Sequence, residues 1–161
     1  MSFIDGGPEL PGSFTTSELK SWTEFGDSQA VRFAGTALYR IEFDLPESPA
    51  DNWRLDLGDV RESARVFING KPAARLWSVP YSAPVGEFLR PGRNLLEIEV
   101  TNLSANRIRD LELRHVNWKI FYDINFADHN YQAFDASGWQ VVPSGLLGPV
   151  RLAPLTGLVP E

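Results

Sequence analysis

The chain has 161 residues, 43% of them hydrophobic, which is enough for one domain with a dry core and tight for two. A net charge of −6 with no cluster of Lys or Arg would repel a phosphate backbone, which argues against nucleic-acid binding. With no cysteine, disulfides, thiolate catalysis and Cys-ligated zinc are excluded, and no apolar run approaches the length of a membrane span.

In chain order, residues 1–18 carry Gly6, Gly7, Pro8, Pro11 and Gly12 and read as a loosely held N-terminal segment. Trp22 and Phe25 follow, placed to pin that segment to a core. Residues 36–45 give the cleanest strand: Ala37, Tyr39, Ile41, Phe43 and Leu45 share one parity, while Arg40, Glu42 and Asp44 share the other. Trp53, Leu55 and Leu57 alternate again, as do Ala64, Val66 and Ile68. Asn69-Gly70 suits a type I′ hairpin, in which both central residues need positive φ. Residues 73–77 form the returning strand, residues 80–91 are irregular, and residues 94–102 alternate through Leu96, Ile98 and Val100.

From residue 103 to 144 the two-residue rhythm fails. Residues 111–124 fit either a strand or a short amphipathic helix, and residues 126–138 read as a long ordered loop, a length usually kept for function. Residues 146–155 close the fold and 156–161 are tail. Short strands at even spacing, with turn residues between them and neither repeats nor heptads, predict a single all-β domain, an antiparallel β-sandwich of jelly-roll type.

Catalytic machinery is sparse. Ser137-Gly138 and Ser144-Gly145 lack the frame of a nucleophile elbow, and His115 and His129 are the only histidines. Asp123, Asp128 and Asp135 could supply the carboxylate pair of a small glycosidase, but Asp is equally at home in loop turns. No metal-ligand spacing stands out around Asp128, His129 and Asn130, and no cofactor is implied, although loop oxygens would admit a structural calcium.

The region rich in rings and polar groups is the stronger candidate. Trp118, Phe121, Tyr122, Phe126, Tyr131, Phe134 and Trp139 lie among Asn106, Arg107, Asp110, Asn117, Asn130 and Asp135. A sugar offers an apolar C–H face and a rim of hydroxyls, so its site wants a flat ring and fixed polar groups. Trp118, Tyr122, Tyr131 and Trp139 are the candidate platforms, and Asn102, Arg107, Asn130 and Asp135 the candidate hydrogen-bonding partners. Trp77 and Tyr81 form a second, weaker candidate. Core packing competes as an explanation for every ring: Trp118 and Tyr122, spaced i and i+4, would share one face of a helix, buried or exposed.

Four motifs in order carry a resemblance. They are Phe33-Ala34-Gly35-Thr36-Ala37-Leu38-Tyr39, the stretch from Leu57-Gly58-Asp59 to Asn69-Gly70 with Leu76-Trp77 and Pro80-Tyr81 after it, Pro91-Gly92-Arg93-Asn94-Leu95 with its strand, and Ser144-Gly145-Leu146-Leu147-Gly148-Pro149-Val150. Together, over about residues 19–155, they resemble the galactose-binding-like, jelly-roll sandwich of glycoside hydrolase family 2 and, more closely, the C-terminal sandwich of family 106 α-L-rhamnosidase-like proteins. The resemblance implies a non-catalytic, carbohydrate-contacting accessory domain whose partners are a glycan and the catalytic barrel of a bacterial parent enzyme. It places Asn102 and residues 135–139 on loops that face the sugar. A bracing module without a ligand is the alternative. The first residues are neither basic nor apolar enough for a signal peptide, so the chain is expected to be either cytoplasmic or, the favoured reading, a piece excised from a larger extracellular or periplasmic enzyme.

Overall fold

The computed structural model describes residues 1–47, 52–121 and 132–155. They form an antiparallel β-sandwich. Strand β1 (Ser2–Gly7) pairs with β2 (Ala34–Leu45), β2 with β8 (Gly92–Thr101), β8 with β5 (Ser63–Ile68), and β5 with β6 (Lys71–Leu76), giving a five-stranded sheet edged by β1 and β6. The facing sheet has β3 (Asn52–Asp56) between β10 (Arg151–Leu155) and β7 (Ser82–Pro84), and β4 (Asp59–Arg61) pairs with β9 (Gly145–Gly148). The chain crosses between layers repeatedly, as in a jelly roll. Two helices, α1 (Ser28–Val31) and α2 (Ala105–Leu113), lie outside the sheets.

The alternation read from the sequence explains the core. Tyr39, Val66, Ile68, Leu96, Ile98 and Val100 from one sheet meet Leu55 from the other and Leu57 just beyond it, with Val60 and Leu146 alongside. Asn69 and Gly70 turn the β5–β6 hairpin with φ of 52° and 76°, as a type I′ turn demands. Asn94 then braces the hairpin: its side-chain carbonyl accepts from Asn69 Nδ2 at 2.9 Å, and its amide donates to the carbonyls of Arg90 and Gly92.

Three expectations change. The segment 1–18 opens with an edge strand, because Gly6 lets β1 lie against β2 so closely that a Cβ there would sit 2.3 Å from the Ala34 carbonyl oxygen. The irregular stretch 80–91 contains β7 and a 3-10 turn at Gly86–Phe88. Ile41 has the inward parity yet is 59% exposed. It lines an apolar groove of about 440 Å³ shared with Phe14, Phe43, Leu55, Leu89 and Leu152, where the two layers part.

Tyr39 links the layers. Its hydroxyl oxygen accepts from the Leu146 N–H at 3.1 Å, and burial pushes its pKa up to about 12 from an ordinary 10.0. Ionisation therefore favours the unfolded chain once pH passes 10.0. Stability should be untouched below that pH and fall by up to about 2–3 kcal/mol as pH approaches 12. Urea unfolding at the two ends of that window should show this loss, and a Tyr39→Phe protein should lack that share of it.

Candidate functional site

The polar and aromatic region assembles where β8 ends. Asn102 closes β8, and its side chain is turned inward: Oδ1 accepts from the Gly35 N–H at 2.9 Å, while Nδ2 donates to the Phe33 carbonyl at 3.0 Å and to Ser144 Oγ at 3.1 Å. All three polar contacts belong to the scaffold. Asn106, buried on α2, works alike, donating to and accepting from the Val142 backbone at 2.8 Å in both directions. Ser144 completes the seam, since its N–H donates to Ser21 Oγ and its carbonyl accepts from the Trp22 N–H. Two asparagines and two serines thus fasten α2 and the N-terminal aromatic layer to the segment leading into β9. Their only sequence signal was polar residues beside a strand end, which is also how a ligand site looks.

Beyond that seam sits a trio of rings. Phe134 receives Trp118 edge-on at 6.1 Å between centroids and 79°, and Trp139 at 5.6 Å and 83°. Such edge-to-face pairs hold rings in fixed orientations. The Trp118 Nε1–H donates to Glu112 Oε1 at 2.8 Å. Lys119 Nζ donates to the Phe134 carbonyl at 2.8 Å, pairs with Glu112 at 2.9 Å, and lies 5.8 Å from the Trp118 ring centroid. Trp139 is 40% exposed, and its carbonyl accepts from Arg109 Nε at 2.7 Å. Helix α2 ends at Leu113, so Trp118 stands on an irregular segment rather than on a helical face.

Asp135 lies next to the trio, exposed. Its carboxylate accepts from the Ser137 N–H at 2.8 Å, and this hydrogen bond, with the Ser137 side chain and distant Lys119 adding to it, holds the carboxyl below the usual carboxylate range. That suits a permanent acceptor for sugar hydroxyls and is the reverse of what a general acid requires. Arg107 is turned to Asp110, whose Oδ2 it meets at 2.9 Å; Arg114 reaches the same oxygen at 2.8 Å and Arg32 at 3.9 Å.

The structure thus brings Trp118 and Trp139 together on Phe134, whose chain neighbour is Asp135, pairs Arg107 with Asp110 on α2, and commits Asn102 to the scaffold. Tyr122, Asn130 and Tyr131 lie outside the described residues, as do Asp123, Asp128 and His129. Of the second candidate pair, Tyr81 is core, its hydroxyl donating to the Glu62 carbonyl at 2.6 Å, while Trp77 is 80% exposed after β6. Among the described residues no His, Asp and Glu side chains gather in a group able to hold a metal, and no helix is long and apolar enough to cross a membrane.

Known proteins place this architecture. No protein-family model matches the chain. A curated protein of Formosa agariphila named "Putative beta-glucuronidase" is 32% identical over 169 residues, covering 89% of this chain and 14% of that protein. The solved structure of a rhamnosidase from Novosphingobium sp. PP1Y is 30% identical with a TM-score of 0.70 over 88% of this chain and 13% of that one. A β-D-mannosidase from Dictyoglomus thermophilum, 19% identical with a TM-score of 0.50 over 84% of this chain and 17% of its own, shares the fold. The relatives are glycoside hydrolases, and this chain spans about one-seventh of the length of the curated relative it matches. It corresponds to a domain-sized part of such enzymes.

Proposed function

We propose that this domain is a non-catalytic accessory sandwich of a glycoside hydrolase of the family 2 or family 106 α-L-rhamnosidase-like kind, and that it contacts a glycan through Trp118, Phe134 and Trp139. The observation that supports this reading most is the edge-to-face packing of Trp118 and Trp139 on Phe134, with Trp139 left 40% exposed and an exposed Asp135 following Phe134 in the chain. A ring held rigid loses little freedom when a sugar stacks on it, and fixed polar groups at its rim select orientation.

Titrating the domain with pectic and rhamnose-containing oligosaccharides, while following Trp fluorescence, tests the reading. A saturable change is expected, and Trp139→Ala should weaken binding about tenfold. No response to any glycan would overturn it, and release of reducing sugar would point to a hydrolase instead.

A second reading, a module that braces a catalytic barrel without binding sugar, has its own support. Leu113, Val116, Ile120, Phe121 and Val141 are exposed in the segments that carry Trp118 and Trp139, and a mostly aliphatic surface suits a protein partner better than a sugar. Under that reading Trp139→Ala leaves glycans without effect and instead weakens association with the barrel.

A further inference from the structure

A cleft of about 390 Å³ runs between α1 and α2, a size in the range of small-ligand pockets. Val31, Leu113 and Val141 give it apolar walls, with Arg32, Arg109 and Asp110 at its polar side. Charge is unbalanced there. Arg32, Arg107 and Arg114 converge on the single carboxylate of Asp110, and Arg109 adds a fourth guanidinium, in a chain whose net charge is −6. The nearby Glu112 is already held by Lys119 and Trp118. Arg32 is anchored through Nε to Gln29 Oε1 at 2.8 Å. Arg109 is anchored through Nε to the Trp139 carbonyl at 2.7 Å, and its two terminal nitrogens have no hydrogen bond or ion pair among the described residues. The guanidinium is therefore fixed at one edge and open at the other.

We infer that this cleft is a subsite for an acidic sugar residue, its carboxylate on Arg109 and its C–H face on Leu113 and Val141. A planar carboxylate matches the fork of a guanidinium, and the local excess of cations favours an anion over a neutral ring. The Arg109–Trp139 bond places the cleft beside the aromatic trio, so one oligosaccharide can lay a neutral unit on the rings and an acidic unit in the cleft. The inference rests on the sugar-contacting reading above and names the class of sugar.

The experiment compares trigalacturonate, its carboxyl-reduced neutral counterpart and a sulfated neutral trisaccharide, by calorimetry on the whole chain at low and moderate salt. Trigalacturonate should bind about tenfold tighter than the neutral trisaccharide at low salt, and the gap should narrow as salt rises. Arg109→Ala should abolish the preference. Because that change also removes the anchor of Trp139, Leu113→Glu serves as the second variant: it sets a carboxylate on an exposed wall, should lower the affinity for trigalacturonate far more than that for the neutral trisaccharide, and should leave the thermal unfolding midpoint unchanged. Equal binding of acidic and neutral ligands, or a preference that survives both variants, overturns the acidic subsite while leaving the platform standing. Binding of no ligand overturns both. Sulfated and carboxylated ligands binding equally overturns the carboxylate assignment.

Discussion

Replacing Trp22 by alanine is expected to lower the unfolding free energy by about 3–5 kcal/mol, among the largest effects available to a single substitution. Trp22 is fully buried, edge-on to Phe3 at 5.4 Å and to Phe33 at 5.9 Å, while Phe3 and Phe33 themselves meet at 4.7 Å. These rings join β1, the 3-10 turn at Trp22–Glu24 and the segment before β2, so the cavity left by alanine would open under three pieces of chain. Denaturant unfolding followed by circular dichroism measures the loss. Trp22→Phe separates size from polarity. Among the described residues the buried indole Nε1–H has no hydrogen-bond partner, so phenylalanine removes an orphaned donor while giving up part of the ring, and its net cost should be well under half that of alanine. Equal costs for the two variants would contradict this account of the aromatic layer.

Gly145→Ala should be comparably damaging, about 3–5 kcal/mol, by adding one methyl group rather than removing a ring. Gly145 has φ of 106°, a region that side chains avoid, and a Cβ there would lie 2.5 Å from the Tyr39 hydroxyl and 2.7 Å from Trp22 Cε3. Neither neighbour can yield cheaply, since Tyr39 holds the Leu146 N–H and Trp22 is packed on all sides. The glycine of the Ser144-Gly145-Leu146-Leu147-Gly148 run is thus explained by close approach of the backbone to two aromatic side chains. The same unfolding assay checks it, and a variant within 1 kcal/mol of the parent, roughly the effect of an ordinary surface change, would show that the seam relaxes more readily than its contacts imply.

The sandwich was legible in sequence wherever one face of a strand is dry and the other wet, as in β2, β5 and β8, and wherever a turn needs a special backbone, as at Asn69-Gly70. It was illegible where the physics is not alternation. Gly6 and Gly7 look like looseness, but Gly6 is there because β1 lies hard against Ala34. In helix α2 the buried residue is Asn106, which ties the helix down through hydrogen bonds to Val142 in place of a greasy stripe. For the candidate site, the sequence singled out Trp118 and Trp139, and both pack edge-on against Phe134. It could not tell an asparagine that would meet a ligand from one that holds the chain, as Asn102 does, because both are polar side chains at the end of a strand.

The outer strands have a bearing on how the domain lives among others. Pro72 sits in β6, Pro84 in β7 and Pro154 in β10, so both edges of the smaller sheet and one edge of the larger include a residue with no N–H. Lys71 and Arg75 add positive charge along β6. A foreign strand seeking to extend these layers finds its ladder interrupted, which is a common guard against zippering between β-rich molecules. What these prolines leave open to another molecule is the β1 edge, the loops and the broad faces of the sheets.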